Sequence, residues 1–383
     1  MTRNDDGDDP GADAGGAARG APPDPEGDPL LSVRDLRTYF DTEAGVVRAV
    51  DGVSFDVYRG ETVCIVGESG SGKTVACESI TRILDTPPGR IAGGEVVFDG
   101  EDLTEASERR LREIRGGRIG HVFQNPQGAL NPVYTVGDQI IEAVRLHSDR
   151  SRREARERAV DLLDRVGIPN APLRVEDYPH EFSGGMRQRV AIAVALAADP
   201  DVLVADEPTT ALDVTIQASV LRLFREIQAE RDTAVVFVTH DLGVVSEVAD
   251  RVVVMYAGRV LERGPVEAVL GDPAHPYTRA LLECLPGRAA ATEGIDGAVP
   301  DPTDPPEGCR FHPRCPHAVE ACTGGEPPAL RPAGGSRAAC VFYRPDYDES
   351  TLRGSPADAP GEPGRAAPDA GSADVDPAGG DGP

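Results

Sequence analysis

Gly67-Glu68-Ser69-Gly70-Ser71-Gly72-Lys73-Thr74 matches the phosphate-cradling pattern G-x-x-x-x-G-K-[ST] at every fixed position. Its glycines let the backbone turn tightly enough for successive N–H groups to face inward. The helix it opens adds the positive end of its dipole. In this pattern Lys73 reaches the β- and γ-phosphates of a nucleoside triphosphate, and Thr74 reaches Mg²⁺. The run Val63-Cys64-Ile65-Val66 before it is apolar and largely β-branched, which predicts a buried parallel strand, and Val75 to Leu84 predict the helix after it. Lys73 is also the only lysine in the chain. Positive charge elsewhere is arginine, so lysine persists where a compact ammonium has a specific task.

The 383 residues are enough for one large domain and an extension, and 39% hydrophobic content can fill a core. No apolar run approaches the length of a membrane span, and the N-terminus lacks the basic and apolar regions of a signal peptide, so a cytosolic chain is expected. Net charge is −26, shared equally between the body and the two tails, 1–29 and 346–383. Abundant Asp and Glu with almost no Lys reads as halophilic adaptation, in which net charge preserves solubility. Codon bias toward Arg, Ala, Gly and Pro is the other reading. Either way the basic footprint of a nucleic-acid binder is missing.

Residues 1–29 and 346–383 are polar, Pro- and Gly-rich and without periodicity, and read as disordered acidic tails. From Leu30 the pattern alternates, and Val46–Val50 and Val53–Val57 read as antiparallel strands leading into the loop strand. Phe40, or its neighbour Tyr39, lies where an aromatic could stack on adenine; a core or edge-strand aromatic is the plainer reading. A hairpin-like stretch spans Gly93 to Gly100, a charged helix runs to about Arg115, and a strand ends in Gln124 before Pro126. A helical region follows, with a capping box at Ser151 and Glu154 and a stop at Gly167. Ser183-Gly184-Gly185 opens a long apolar helix, a second start suited to anions. Two apolar strands then end in Asp206-Glu207 and in Thr239-His240. Carboxyl ends of parallel strands are where α/β folds place ligands.

Taken together, these motifs resemble the ATP-binding subunits of ABC transporters over roughly residues 30 to 345. The resemblance runs in order through the phosphate loop, Gln124, Ser183-Gly184-Gly185, Asp206-Glu207, Ala211-Leu212-Asp213 and His240. Within that family the wording is most similar to the oligopeptide/dipeptide importer group. It shows in Phe123-Gln124-Asn125-Pro126, in His275-Pro276-Tyr277-Thr278-Arg279, and in Cys309-Arg310-Phe311-His312-Pro313-Arg314-Cys315-Pro316. Pro87-Pro88-Gly89-Arg90-Ile91 resembles the D-type subunit rather than its F-type partner. Phe182 and Met186 replace the common Leu and Gln of the signature, as is usual in this subgroup, and Ser336 stands where a histidine is expected.

The resemblance implies an α/β P-loop ATPase with an antiparallel subdomain, a helical subdomain at about 126–190 within a 30–266 cassette, and a 267–345 extension. It implies two cassettes clamping two ATP molecules, with a second ATPase subunit that is an F-type paralogue or a second copy. Permease subunits and, indirectly, an extracellular solute-binding protein would complete a machine at the cytoplasmic face of the membrane. In it Asp206 and Thr74 hold Mg²⁺ with Gln124 sensing it, Glu207 is the general base, and His240 stabilises the γ-phosphate. Ser183, Gly184, Gly185 and Asp213 serve the partner's site.

Two rivals share the loop. A GTPase would need a guanine-reading Asn-Lys-x-Asp, and the single lysine is already used. A soluble ABC ATPase acting on nucleic acid or ribosomes remains the alternative, without the coiled coils or basic surfaces usual there.

Four of seven cysteines, Cys309, Cys315, Cys322 and Cys340, fall within 32 residues. In a cytosolic chain clustered thiols favour metal over disulfides. The spacing lacks the C-x-x-C pairs common in zinc modules, while four thiolates with a Cys-Pro step suit an iron–sulfur cluster. The resemblance points to [4Fe–4S] ahead of zinc, with unliganded thiols as the third reading. Cys64, Cys77 and Cys284 read as small buried hydrophobes.

Overall fold

The computed structural model describes residues 27–285 and 294–352, apart from Ala211. The tails at 1–26 and 353–383 therefore lie outside the described residues, as does the first residue of the Ala211-Leu212-Asp213 turn. Twelve strands form two sheets among the described residues. The first is antiparallel, with β1 (Leu31–Thr42) between β2 (Gly45–Val57) and β4 (Gly89–Phe98), and β5 (Glu101–Asp102) at its edge. The second is built on five parallel strands in the order β9 (Arg251–Tyr256), β3 (Thr62–Val66), β8 (Ala234–Val238), β7 (Val202–Asp206) and β6 (Ile119–Val122). It continues antiparallel through β10 (Arg259–Pro265) and β12 (Ser336–Ala338) to β11 (Arg331–Ala333), so the extension adds two strands to the cassette's own sheet.

All five residues of β3 are buried, as are those of β7 and β8. Successive side chains face opposite sides of a strand. Accordingly Val63 and Ile65 join a core shared with β1, β2 and β4, while Cys64 and Val66 join a second core under the helical region and the extension. A sheet covered on both faces is what continuous apolar strands require. The parallel register brings the carboxyl ends of β3, β6, β7 and β8 to one edge, where the polar residues follow.

Two elements differ from their sequence reading. Val46–Val50 and Val53–Val57 are one strand, because Asp51-Gly52 forms a register shift rather than a turn. Gly52 has φ +92°, and the Asp51 carboxylate is held by Tyr39 and Arg259. The helix after the phosphate loop ends at Ile80 rather than Leu84. Arg115 takes the carbonyls of Thr81 and Arg82 at 2.8 Å each, and Arg82 turns to φ +54°. The helix Arg152–Arg165 starts with the reciprocal Ser151–Glu154 box and stops before Gly167 at φ +75°. Residues 346–352, read as tail, include a short turn whose Leu352 is buried and whose carbonyl accepts from Arg279. No helix among the described residues is long and apolar enough to cross a membrane.

Candidate functional site

The phosphate loop is fixed by glycines that no other residue could replace. A Cβ at Gly67, φ +151°, would stand 2.0 Å from the Met255 carbonyl, and one at Gly72, φ +96°, 2.1 Å from that of Ala49. Gly72 precedes the helix Lys73–Ile80, and Ser69 and Gly70 form the exposed crest above buried Ser71. Lys73 is 6% exposed, and its ammonium donates to the carbonyls of Gly67 (2.8 Å) and Glu68 (2.9 Å). Burial lowers its pKa, against the pull of Glu207 and Asp206.

At the ends of β6, β7 and β8 the structure gathers Gln124, Glu207 and His240. Glu207 accepts from Gln124 Nε2 at 3.0 Å and from Thr210 Oγ1 at 2.9 Å, and its other oxygen lies 3.3 Å from His240 Nδ1. Its backbone is at φ +46°, sparsely populated for a side-chain-bearing residue, and is held there by its N–H bond to the Val238 carbonyl. Burial pushes the Glu207 carboxyl up, but the bonds from Thr210, His240 and Gln124 outweigh it and leave the pKa below the ordinary glutamate value. A group so held is ionised at neutral pH and can accept a proton.

Asp206 is the opposite case. Burial raises its pKa, only partly offset by a hydrogen bond from Thr74, and its Oδ1 is buried without any hydrogen-bond partner. An orphaned carboxylate oxygen beside the Thr74 hydroxyl fits a hard divalent cation such as Mg²⁺.

The extension reaches this site. Arg314, on the segment between two of the cysteines, grips both carboxylate oxygens of Glu68 at 2.7 and 3.1 Å, and Tyr277 Oη accepts from the Glu68 backbone N–H at 2.9 Å. Arg310 reaches Asp51, which also accepts from Tyr39 Oη at 2.7 Å. Tyr39 is thereby committed to a polar contact. Phe40 is half-buried and packs against Gly89 of β4.

Ser183, Gly184, Gly185 and Asp213 are not gathered with this group. Ser183 caps the helix Gly184–Ala195 and is exposed with Gly184, while Gly185 faces Leu212. Asp213 caps the helix Val214–Arg231.

Comparison with known proteins agrees with this geometry. Residues 50–210 match the ABC transporter family model, and residues 261–322 match the oligopeptide/dipeptide transporter C-terminal region. A putative peptide import ATP-binding protein of Brucella melitensis is 52% identical over 314 residues, covering 78% of this chain and 93% of that one. The chain belongs to the ABC transporter ATP-binding family. The oligopeptide transport ATP-binding protein OppD of Bacillus subtilis is 49% identical, covering 79% of this chain and 86% of its own. The dipeptide transport protein DppD of the same organism is 50% identical, covering 76% and 88%. Among solved structures, the ATP-binding cassette MJ0796, a dimer in a post-hydrolysis state bound to ADP and Pi, superposes with a TM-score of 0.57 at 28% identity. It covers 62% of this chain and 99% of that one. As a member of this family the chain is an ATPase.

In this ABC ATPase the cysteines depart from expectation. Cys309, Cys315 and Cys340 are pushed up to about 11, 12 and 12 by burial, and neighbouring thiols of the set add to the rise; burial raises Cys322 as well. Backbone hydrogen bonds at each sulfur favour the thiolate. By donor type, four soft sulfurs suit thiolate-metal chemistry. Yet among the described residues no three Cys, His, Asp or Glu form a metal-holding group, so the expected four-thiolate cage is not closed. Buried neutral thiols pack as small hydrophobes, and without a cation to stabilise their thiolates nothing draws the four sulfurs into one cage. Cys64 and Cys77 are buried as expected, but Cys284 is only half-buried.

Thr210, Tyr277, Arg310 and Arg314 escaped the sequence reading. Thr210 follows Glu207 by three residues and was open to it; the other three stand in the stretches that carry the resemblance, but their partners lie more than 200 residues away and no local pattern discloses those contacts.

Proposed function

We propose that this subunit powers import of di- or oligopeptides through membrane permease subunits, working from the cytoplasmic face with a second cassette, an F-type paralogue or a second copy. The observation that carries the ATPase half is the convergence of Gln124, Thr210 and His240 on an ionised Glu207 beside the phosphate loop. The peptide class rests on relatives named for peptide import and on the match of the extension.

Glu207 takes a proton from the attacking water, with Gln124 and His240 orienting water and γ-phosphate, and Lys73 neutralises the developing charge. Asp206 and Thr74 would hold Mg²⁺, with Gln124 alongside, and the ion would supply charge neutralisation at the phosphates. Ser183, Gly184 and Gly185 meet the γ-phosphate on the partner's loop, and Asp213 crosses toward that site. Phe40 stacks on adenine. Exposed Phe123, beside Gln124, and exposed Val133 and Tyr134 nine and ten residues on give the permease an apolar surface to grip. Uptake of a labelled oligopeptide in a strain lacking this gene tests the reading. The wild-type gene should restore uptake and Glu207→Gln should not, and uptake that persists without the gene would refute the assignment.

In the extension, Cys309, Cys315, Cys322 and Cys340 hold an iron–sulfur cluster that staples a Pro- and Gly-rich segment, a structural rather than redox part. Protein purified without oxygen should be brown, absorb broadly near about 400 nm and carry about four irons per chain. Colourless protein with stoichiometric zinc, or without metal, would refute this.

The acidity is a salt adaptation. Raising KCl from about 0.1 M to about 2 M should raise the melting temperature steeply by screening self-repulsion. A flat profile would leave codon bias as the account.

A further inference from the structure

At the amino ends of β3 and β9 a cavity of about 450 Å³ opens between the cassette and the β11–β12 hairpin, lined in part by Tyr58, Arg251, Arg263 and Arg337. The five residues of β3 separate it from the phosphate loop by roughly 17 Å, so it is not part of the nucleotide site.

Two of its arginines are placed against their own interest. Arg263 on β10 and Arg337 on β12 are direct partners across an antiparallel ladder, and like charges so opposed destabilise a sheet. Each has a backbone carbonyl for company: Arg263 donates to Ser54 at 2.7 Å and Arg337 to Leu330 at 3.3 Å, and among the described residues neither has a carboxylate within ion-pair distance. Three carboxylates share the lining, and each is engaged: Asp250 accepts from the Thr62 backbone N–H at 2.8 Å. Asp56 pairs with Arg34 and accepts from Ser32, and Glu61 pairs with Arg251. Burial, together with Arg251, Arg337 and Arg34 and against the opposing pull of Asp56, holds Arg263 below the usual arginine value. With Arg59 the lining holds four arginines against Asp56, Glu61 and Asp250, an excess of one positive charge in a chain of net charge −26.

We propose that the cavity is a second anion site, which takes a small phosphate-bearing molecule between Arg263 and Arg337. Guanidinium forks match phosphate geometry, and the two charges and several oxygens of a dianionic phosphate can serve both arginines at once. The volume suits a metabolite rather than a macromolecule. Because one arginine comes from the cassette and the other from the extension, the bound anion bridges the two.

Calorimetric titration of inorganic phosphate into the full chain carrying Lys73→Ala, which disables the loop, tests the site at fixed low chloride. One binding event per chain is expected, weakened about tenfold or more by Arg337→Gln, since a charge-assisted hydrogen bond is lost. Arg337 is exposed, so this variant should fold. In phosphate-free buffer it should melt no lower than its parent, because the like-charge pair is relieved, and should gain less on adding phosphate. Glycerol 3-phosphate binding more tightly than phosphate assigns the cavity to an ester, and equal binding assigns it to the free ion. No heat with the folded Lys73→Ala chain, or equal affinity after both Arg337→Gln and Arg263→Gln, would overturn the proposal.

Discussion

Glu207→Gln should lower ATP turnover by roughly 10²- to 10⁴-fold while leaving ATP binding intact. The side chain keeps its length and one acceptor oxygen, which can still receive Gln124 Nε2 and Thr210 Oγ1. The new amide then faces His240 Nδ1, which accepts in the appropriate tautomer. The hydrogen-bond network therefore survives, and what disappears is the proton acceptor. Closed, ATP-loaded dimers should accumulate, visible by size-exclusion chromatography. Turnover within about threefold of wild type would mean that another group takes the proton.

Arg314→Ala should loosen the phosphate loop from a distance. The Arg314 side chain is 3% exposed and its partner Glu68 24%, so the pair is protected on one side and partly wet on the other. Breaking a buried pair costs about 3–5 kcal/mol, and with one partner partly hydrated about 2–3 kcal/mol is the expected loss. For a folded body of this size that lowers the melting temperature by roughly 3–5 °C. Because Glu68 lies within the loop, the KM for ATP should rise about tenfold with a smaller change in kcat. Glu68→Ala should have a similar effect, and the double variant should fall well short of the sum. Additive effects, or an unchanged KM, would show that the contact is incidental. Arg314→Lys should recover part of the loss, since one ammonium cannot bridge both oxygens.

The difference between these two predictions shows what the sequence could and could not disclose. Glu207, Gln124 and His240 each follow a strand of their own, and apolar strands ending in polar residues can be read one at a time; parallel pairing then places their ends together without further information. The phosphate loop was legible for the same reason, its glycines answering to steric demands within a few residues. The Arg314–Glu68 contact depends on how the extension folds back, and its two residues carry no shared local pattern. Asp51-Gly52 misled because it is ordinarily turn chemistry, and only the distant Arg259 and Arg310 hold the strand straight through it. The cysteine spacing fixed which thiols could meet but not whether buried, protonated sulfurs converge without a cation.

The Arg314–Glu68 contact also sets an order of events in time. Its residues are 246 positions apart, and Tyr277 lies 209 positions from the same Glu68. A ribosome adding roughly 5–20 residues per second finishes the loop about 12–50 s before it reaches Arg314. For most of that interval the nascent chain carries the glycines and the lysine without Tyr277, and for all of it without Arg314. A finished ATP site therefore waits on residues far downstream of the loop, and a chain that stops before Tyr277 has neither of the side chains that brace Glu68.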